Sequence, residues 1–262
     1  MFSDGVPKRL LGAGNPSARP IFVVGLMRSG TTLVEQIIAS HSAVRAAGEL
    51  EAATQFGTPV MSKGTRAAPK DIAAFADSYL GVLDAIDTDH AHTVDKMPAN
   101  FFLVGLLHAA FPNAKIINTV RDPRDTCFSI WKNYFDTHAH QYAYNQAELA
   151  AFANDYKSLM NFWDAVLPDG TIYHIRYEDL VADQEGESRR LMNHLGLPWE
   201  DGVLDFHKAR GAVRTASVNQ VRQEMYATSP QAWAPYSEHL STLLDGLDPA
   251  LWAGAMTGIE DG

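Results

Sequence analysis

The most constraining feature of the sequence is a strand pattern, a loop bounded by two glycines and a helix pattern, which follow one another within residues 20–40. Pro20 precedes an unbroken apolar, partly β-branched run at residues 21–24, which is typical of a strand buried on both faces. Gly25 and Gly30 bound the loop, and residues 31–40 carry apolar side chains at helical spacing. This order predicts a sheet covered by helices.

The same alternation of strand and helix continues along the chain. Strands are predicted at residues 21–24, 92–95, 115–120 and 171–175, and helices at residues 31–40, 71–86, 101–111, 123–135, 148–166, 184–195 and 236–247. Successive strand-then-helix units favour a parallel sheet. We therefore predict an α/β fold: a P-loop-type parallel sheet flanked by helices on both faces, in a single domain over residues 20–262, after an irregular lead-in at residues 1–19.

Composition excludes several classes of protein. The 262 residues are 46% hydrophobic and 20% charged, which is the composition of a globular domain rather than of a disordered chain. The net charge of −10 argues against general binding to nucleic acid or anionic membranes. Cys127 is the single cysteine, and the longest apolar run, residues 21–27, is too short to span a bilayer. These features predict a cytoplasmic protein without an export signal or membrane anchor.

The glycine loop, residues 25–30, has the glycine spacing of a phosphate-binding P-loop and the expected strand and helix on either side. Such a loop directs peptide N–H groups toward an anion at a helix N-terminus, although a purely structural turn has the same glycines. Thr31 stands where nucleotide triphosphatases have lysine, and no later strand ends in an acidic magnesium-binding pattern. Arg28 adds a planar set of donors, so the loop favours a phosphate that carries a second anionic group.

Residues 20–33, PIFVVGLMRSGTTL, resemble the 5′-phosphosulfate loop of sulfotransferases that use 3′-phosphoadenosine 5′-phosphosulfate (PAPS). The similarity is greatest to the tyrosylprotein-type and bacterial enzymes, with Met27 in place of their proline. The resemblance implies PAPS as cofactor, with 3′-phosphoadenosine 5′-phosphate (PAP) as its product. It assigns cofactor binding in this loop to Arg28, Ser29, Gly30, Thr31 and Thr32.

A second block, residues 120–129, is similar to the 3′-phosphate segment of the same family, with Arg121 and Ser129 at the matching positions. An ion pair of Arg121 with Asp122 or Asp125 is the structural alternative. A third block, residues 176–180, resembles the family's YEDL segment and implies that Tyr177 contacts the nucleotide.

A fourth block, residues 214–222, is similar to the loop that closes over the cofactor in the family. It implies nucleotide contacts from Ser217, Gln220 and Arg222, and Ser217 is also a candidate contact to the leaving group. Ala232 stands where the family has a basic residue, so Arg222 is a candidate replacement for that contact.

The resemblance also implies the catalytic residues. Glu49 aligns without gaps from the glycine loop onto the family's general base, with Glu51 as a near competitor. Lys96 matches a lysine that would stabilise charge on the leaving phosphate, and Arg28 would hold the sulfuryl oxygens. This scheme uses no metal. His90, His92, His138 and His140 are interpreted as surface or satisfied residues.

These patterns predict a bacterial sulfotransferase that moves a sulfuryl group from PAPS to a hydroxyl of a small molecule, glycan or peptide by in-line displacement. Two alternatives remain open from the residues: a P-loop kinase for a small metabolite, and a nucleotide-binding module without catalysis. The sequence does not choose the acceptor or the oligomeric state.

Overall fold

The computed structural model describes residues 7–135, 138–208 and 231–256. Within these residues the fold is a five-stranded sheet in the order β2-β3-β1-β4-β5, and every neighbouring pair is parallel. The strands are Pro20–Gly25 (β1), Val44–Gly48 (β2), His92–Lys96 (β3), Lys115–Val120 (β4) and Ile172–Arg176 (β5). The predicted parallel α/β sheet is therefore confirmed.

Helices follow the strands as the parallel order requires. They are Thr31–Ala39 (α1), Ala52–Met61 (α2), Pro69–Ile86 (α3), Val104–Ala110 (α4), Pro123–Trp131 (α5), Gln146–Val166 (α6), Tyr177–Ala182 (α7), Gln184–Leu195 (α8) and Ser241–Gly246 (α9). Short 3₁₀ segments occupy Lys8–Leu10, Gly64–Arg66, Pro98–Leu103, His138–Tyr144, Asp201–Lys208 and Ala234–His239.

Both faces of the sheet are covered, as the continuous apolar pattern of β1 predicts. Phe22 and Val24 pack into one core with side chains of α3, α4 and α6, whereas Ile21 and Val23 pack into the other with side chains of α1 and α8. Because successive side chains of a strand point to opposite faces, a strand of this kind must be apolar throughout.

Three predicted helices differ from the structure, and one strand was not predicted. Residues 101–103 belong to a 3₁₀ turn, α5 ends at Trp131 instead of residue 135, and the predicted helix over residues 236–247 is split at Leu240. Strand β2 was not predicted, because only Val44 of its five residues is buried and it pairs on one side alone. Its place at the sheet edge matters, since Glu49 follows it directly.

The order of the strands puts the ends of β1, β3 and β4 side by side. The chain leads from β1 to β2 at one edge of the sheet and back to β3, and then crosses to β4 on the other side of β1, so the direction of strand addition reverses at β1. In open α/β sheets, ligands bind in the crevice that such a reversal leaves at the carboxyl ends of the strands. The glycine loop follows β1 at that point.

Candidate active site

The glycine loop has a strained, tightly closed backbone. Arg28 and Gly30 adopt positive φ angles of 67° and 105°. The Ser29 hydroxyl donates to the Leu26 carbonyl oxygen at 2.7 Å, and the Ser29 peptide N–H donates to the same oxygen at 3.2 Å. A positive φ is unusual for arginine and costs about 1–3 kcal/mol where the surrounding structure enforces it. Helix α1 begins immediately afterwards, so the loop ends at a helix N-terminus, whose first peptide N–H groups have no partner within the helix.

The two segments predicted to hold phosphate groups meet in the structure. The Arg28 Nε atom donates to Ser129 Oγ at 3.1 Å, and Arg121 Nη1 donates to the Arg28 carbonyl oxygen at 3.2 Å. The Arg121 guanidinium lies 4.6 Å from the centre of the Tyr177 ring. Residues that are far apart in the chain therefore form one contiguous group at the ends of β1 and β4.

Electrostatics at this group favour an anion. Burial lowers the pKa of Arg28, and the nearby positive charge of Arg121 lowers it further. Two guanidinium groups held this close repel each other, and a bound phosphate or sulfate would relieve that repulsion.

Arg121 does not form the alternative ion pair with Asp122 or Asp125. Asp122 pairs with Arg124, at 2.6 Å, and Asp125 accepts the peptide N–H groups of Gln231 and Trp233. Among the residues that the structure describes, no carboxylate forms an ion pair with Arg121, and its buried Nε has no hydrogen-bond partner. An unpartnered buried donor of this kind is suited to a bound phosphate oxygen.

Glu49 and Lys96 meet at the other end of the same sheet edge. Gly48 of β2 lies opposite Asp95 of β3 in the parallel register, so the next residue of each strand is brought together. The Lys96 ammonium forms an ion pair with Glu49 Oε1. The Lys96 side chain is 1% exposed, whereas that of Glu49 is 41% exposed and accessible to an acceptor.

Two further carboxylates surround this ion pair, and the sequence interpretation missed both. Glu35 of α1 accepts the Gly48 peptide N–H at 3.1 Å, and Asp95 accepts the Leu50 peptide N–H at 3.2 Å. Burial raises the pKa of each to about 7, in spite of the nearby Lys96 charge. We call Glu35, Glu49, Asp95 and Lys96 the base cluster.

Other contacts were also beyond the sequence interpretation. Glu178 lies in the first turn of α7, and its Oε1 accepts the Asp122 peptide N–H at 2.8 Å. His140, interpreted as a surface or satisfied residue, is partly buried. Burial lowers its pKa, and the negative charge of Glu49 acts in the opposite direction. Its ring packs edge-on against Phe135. An aromatic ring therefore lies close to the predicted base.

The remaining predicted residues divide into two groups. Ser29, Thr31 and Thr32 are buried at the junction of the glycine loop and α1. Ser217, Gln220 and Arg222 lie outside the described residues, so their roles stay predictions. Ala232 lies beside the start of α5, because Asp125 binds the peptide groups on either side of it.

Two kinds of feature are absent from the residues that the structure describes. No helix there is long and apolar enough to cross a membrane. No group of three histidine, cysteine, aspartate or glutamate side chains in residues 7–135, 138–208 and 231–256 is arranged to hold a metal ion.

Two known proteins are similar in sequence to most of this chain. A protein of Aquifex aeolicus described as uncharacterized is 36% identical over 94% of this chain, which spans 34% of that protein. A putative protein-tyrosine sulfotransferase of Caenorhabditis briggsae is 24% identical over 88% of this chain and 86% of its own length. The chain thus spans about a third of the first relative and most of the second.

Solved structures extend the comparison to the fold. Mouse sulfotransferase SULT7A1, solved in complex with PAP, superposes with a TM-score of 0.58 at 16% identity, covering 97% of this chain and 92% of the mouse chain. At that identity the likeness concerns the fold alone. Residues 20–201 match the sulfotransferase family, a span that includes the glycine loop, the base cluster and the Arg121, Ser129 and Tyr177 segment. The resemblance found in the sequence is confirmed, and the chain belongs to the sulfotransferase family.

Proposed function

We propose that this protein transfers a sulfuryl group from PAPS to an acceptor hydroxyl and releases PAP. The observation that carries the proposal is the direct contact of the two phosphate-binding segments, with Arg28 Nε 3.1 Å from Ser129 Oγ and Arg121 on the Arg28 carbonyl oxygen. A nucleotide with phosphates at both the 3′ and 5′ positions is the cofactor that makes use of two such segments at once.

The donor would be held by the loop and by strand β4. The glycine loop with Ser29, Gly30, Thr31 and Thr32 would bind the 5′-phosphosulfate, and Arg28 would contact the sulfuryl oxygens. Arg121 and Ser129 would bind the 3′-phosphate, with Tyr177 beside them. Ser217, Gln220 and Arg222 are proposed as additional contacts from the closing loop.

Glu49 is proposed as the general base. Its half-exposed carboxylate would accept the proton of the acceptor hydroxyl, whose oxygen then forms the new bond to sulfur. When bound, PAPS supplies the sulfuryl group, and the bond between sulfur and the bridging phosphate oxygen breaks to leave PAP. The ion pair with Lys96 holds the Glu49 carboxylate at this position.

Lys96 has donors for both partners. An ammonium group carries three N–H donors, so one bond to Glu49 leaves two for the bridging oxygen as it gains negative charge. A charge-assisted hydrogen bond contributes about 1.5–3 kcal/mol, and each 1.4 kcal/mol or so corresponds to a factor of about 10 in rate. Replacing Lys96 by methionine should therefore slow turnover by about one to two orders of magnitude.

The acceptor is proposed as a hydroxyl compound, small molecule, glycan or peptide, in the cytoplasm of a bacterium. The similar C. briggsae protein is named for protein tyrosine, which makes a phenol one of the acceptors to test. The single cysteine, Cys127, is fully buried and unpaired, which suits a reducing compartment. The net charge of −10 makes nucleic acid an unsuitable partner.

The test is calorimetry with PAP and with ATP, followed by incubation with ³⁵S-labelled PAPS and four acceptors: 4-nitrophenol, a tyrosine peptide, a primary alcohol and a monosaccharide. We expect PAP to bind, ATP to bind much more weakly and at least one acceptor to be labelled. ATP binding without PAP binding, together with magnesium-dependent phosphate transfer, would instead indicate the P-loop kinase. Tight PAP binding without labelling of any acceptor would indicate the non-catalytic module.

A further inference from the structure

The peptide groups on either side of Glu49 are each held by a buried carboxylate. The Gly48 N–H donates to Glu35 Oε1 at 3.1 Å, and the Leu50 N–H donates to Asp95 Oδ1 at 3.2 Å. Residues 48–50 thus have an anchor on both sides of the proposed base. An exposed carboxylate at a strand end otherwise has considerable freedom, because its backbone leaves the sheet there.

Both anchors are fixed by their own surroundings. Asp95 Oδ2 accepts the Tyr79 hydroxyl at 2.6 Å and the Asn100 side-chain amide at 3.1 Å, and Asp95 is 1% exposed. Glu35 is 3% exposed and lies on α1, the helix that begins at the glycine loop. The element that presents the donor-binding loop therefore also holds the backbone of the proposed base.

The charges in this region make the arrangement costly. Glu35 faces Lys96, Glu49 and Asp95 as well as the Gly48 N–H, so three carboxylates share one buried ammonium. Burial raises the pKa of both Glu35 and Asp95. An apolar side chain would be cheaper to bury at either position. A buried glutamate that accepts a hydrogen bond from the residue before the base indicates a role beyond packing.

We infer that Glu35 and Asp95 are positioning residues, which fix the Glu49 carboxylate beside Lys96 through the peptide N–H groups of Gly48 and Leu50. The inference rests on the proposed function, in which Glu49 accepts the hydroxyl proton. Neither residue touches donor or acceptor in this scheme, and each acts through the backbone of residues 48–50. Because small displacements of a reacting group strongly reduce rates, losing one anchor should lower kcat while donor binding is kept.

The test compares two substitutions at one position. Gln at position 35 keeps an oxygen acceptor for the Gly48 N–H, whereas Met has a similar size without it. With ³⁵S-labelled PAPS and the panel acceptor that is labelled fastest, we expect Glu35→Met to lower kcat by about tenfold or more. Glu35→Gln should restore kcat to within about threefold of wild type, and both variants should bind PAP within about twofold of wild type, since the bond to Gly48 is the difference between them.

Wild-type kcat in Glu35→Met would overturn the inference, as would a loss in Glu35→Gln as large as in Glu35→Met. A drop in PAP affinity that accounts for the whole loss would also contradict it, because the effect would then act through the glycine loop. Circular dichroism and thermal melting establish that each variant folds.

Amide hydrogen exchange of the wild-type protein, followed by NMR, gives a second and independent decision. We expect the Gly48 and Leu50 amides to exchange slowly, with Gly48 still protected in Glu35→Gln. Exchange of both at the rate of an unstructured peptide would overturn the inference even if Glu35→Met fails to fold. This measurement needs no acceptor, so absence of wild-type turnover counts against the proposed function alone, and unprotected amides count against the positioning role alone.

Discussion

The two ends of the site lie along one edge of one sheet, yet they are built from opposite charges. At the ends of β1 and β4, Arg28 and Arg121 are brought together around peptide groups and a serine hydroxyl. At the ends of β2 and β3, three carboxylates of the base cluster surround the single cation Lys96. In a chain with a net charge of −10, these two guanidinium groups bring positive charge together at the ends of β1 and β4.

The difference shows how each half becomes electrically balanced. The arginine half has an excess of positive charge that an anionic ligand would neutralise from outside. The base cluster has an excess of negative charge that it reduces internally, since burial raises the pKa of Glu35 and Asp95 to about 7 and one or both hold a proton near neutrality. An anionic ligand would therefore bind at the arginine half, whereas protons bind at the base cluster, so that substitutions can perturb each half separately.

The largest effect should come from removing the base. Glu49→Gln keeps the size of the side chain and should lower kcat by about 10²–10⁴, which is the usual contribution of a positioned general base. PAP affinity should change little, because the carboxylate lies in the other half. Rapid-quench assays with labelled PAPS measure the first quantity and calorimetry measures the second.

Glu51 supplies the matched control for this experiment. It is exposed at the start of α2, two residues further along, and Glu51→Gln should leave kcat unchanged. Equal losses in the two variants, or a greater loss in Glu51→Gln, would mean that the base has been assigned to the wrong carboxylate.

The next effect concerns the arginine half. Arg121→Met should raise the dissociation constant of PAP by about 10- to 150-fold, since hydrogen bonds to charged groups contribute about 1.5–3 kcal/mol. Adenosine 5′-phosphate, which lacks the 3′-phosphate, should bind the variant and the wild type about equally. Arg190→Met, on the exposed surface of α8, is the control and should have no effect. If Arg121→Met binds PAP normally, the 3′-phosphate lies elsewhere.

A third expectation concerns stability against pH. The raised pKa values mean that, between about pH 4.5 and 7, folded protein holds protons on Glu35 and Asp95 that unfolded protein has released. The contribution of these two groups to the free energy of unfolding then falls as pH rises through this window, by at most about 1.4 kcal/mol per pH unit for each proton, and levels off above the folded pKa.

Urea unfolding at pH 5.5, 7 and 8.5 tests this dependence. Glu35→Gln removes one titrating group, so its stability should decline less steeply and should exceed that of wild type at pH 8.5. Glu51→Gln should follow the wild-type curve. Equal slopes for wild type and Glu35→Gln over the same window would show that Glu35 is ionised throughout it.

The smallest expected effect is at Ser129. Its hydroxyl accepts a hydrogen bond from Arg28, and as a single uncharged donor to a phosphate it should contribute about 0.5–1.5 kcal/mol, less than the charged Arg121. Ser129→Ala should therefore weaken PAP binding by about 2- to 12-fold without a change in the pH dependence of stability. A loss as large as that of Arg121→Met would mean that the serine, rather than the arginine, dominates the contact.

Much of the fold could be predicted because its signals are local. The unbroken apolar run of β1 and the amphipathic pattern of α3 each reveal their element within a few residues. Helix α2 contains Gly57 and Pro59, two residues that break helix patterns, and it went unpredicted. It forms nevertheless, because Gly57 lets Leu106 approach closely, so tertiary packing overrides local preference.

The site shows the same division. Arg28, Arg121 and Lys96 lie in recognisable segments at predicted strand ends, so a parallel sheet brings them to one edge. Glu35 lies within the predicted helix that follows the glycine loop, and its partner Gly48 belongs to the strand that was missed. No local pattern connects the two. Pairing across the fold, rather than residue type, was the information that the sequence did not provide.

The packing of Gly30 against Tyr177 limits how this pocket could be redesigned. A Cβ atom at position 30 would lie 2.5 Å from Cδ2 of the Tyr177 ring, on which Arg121 also stacks. The glycine loop, the end of β4 and the start of α7 therefore pack closely because residue 30 has no Cβ atom. Redesign of this pocket would have to change positions 30 and 177 as a pair, because any side chain at position 30 would collide with the ring on which Arg121 stacks.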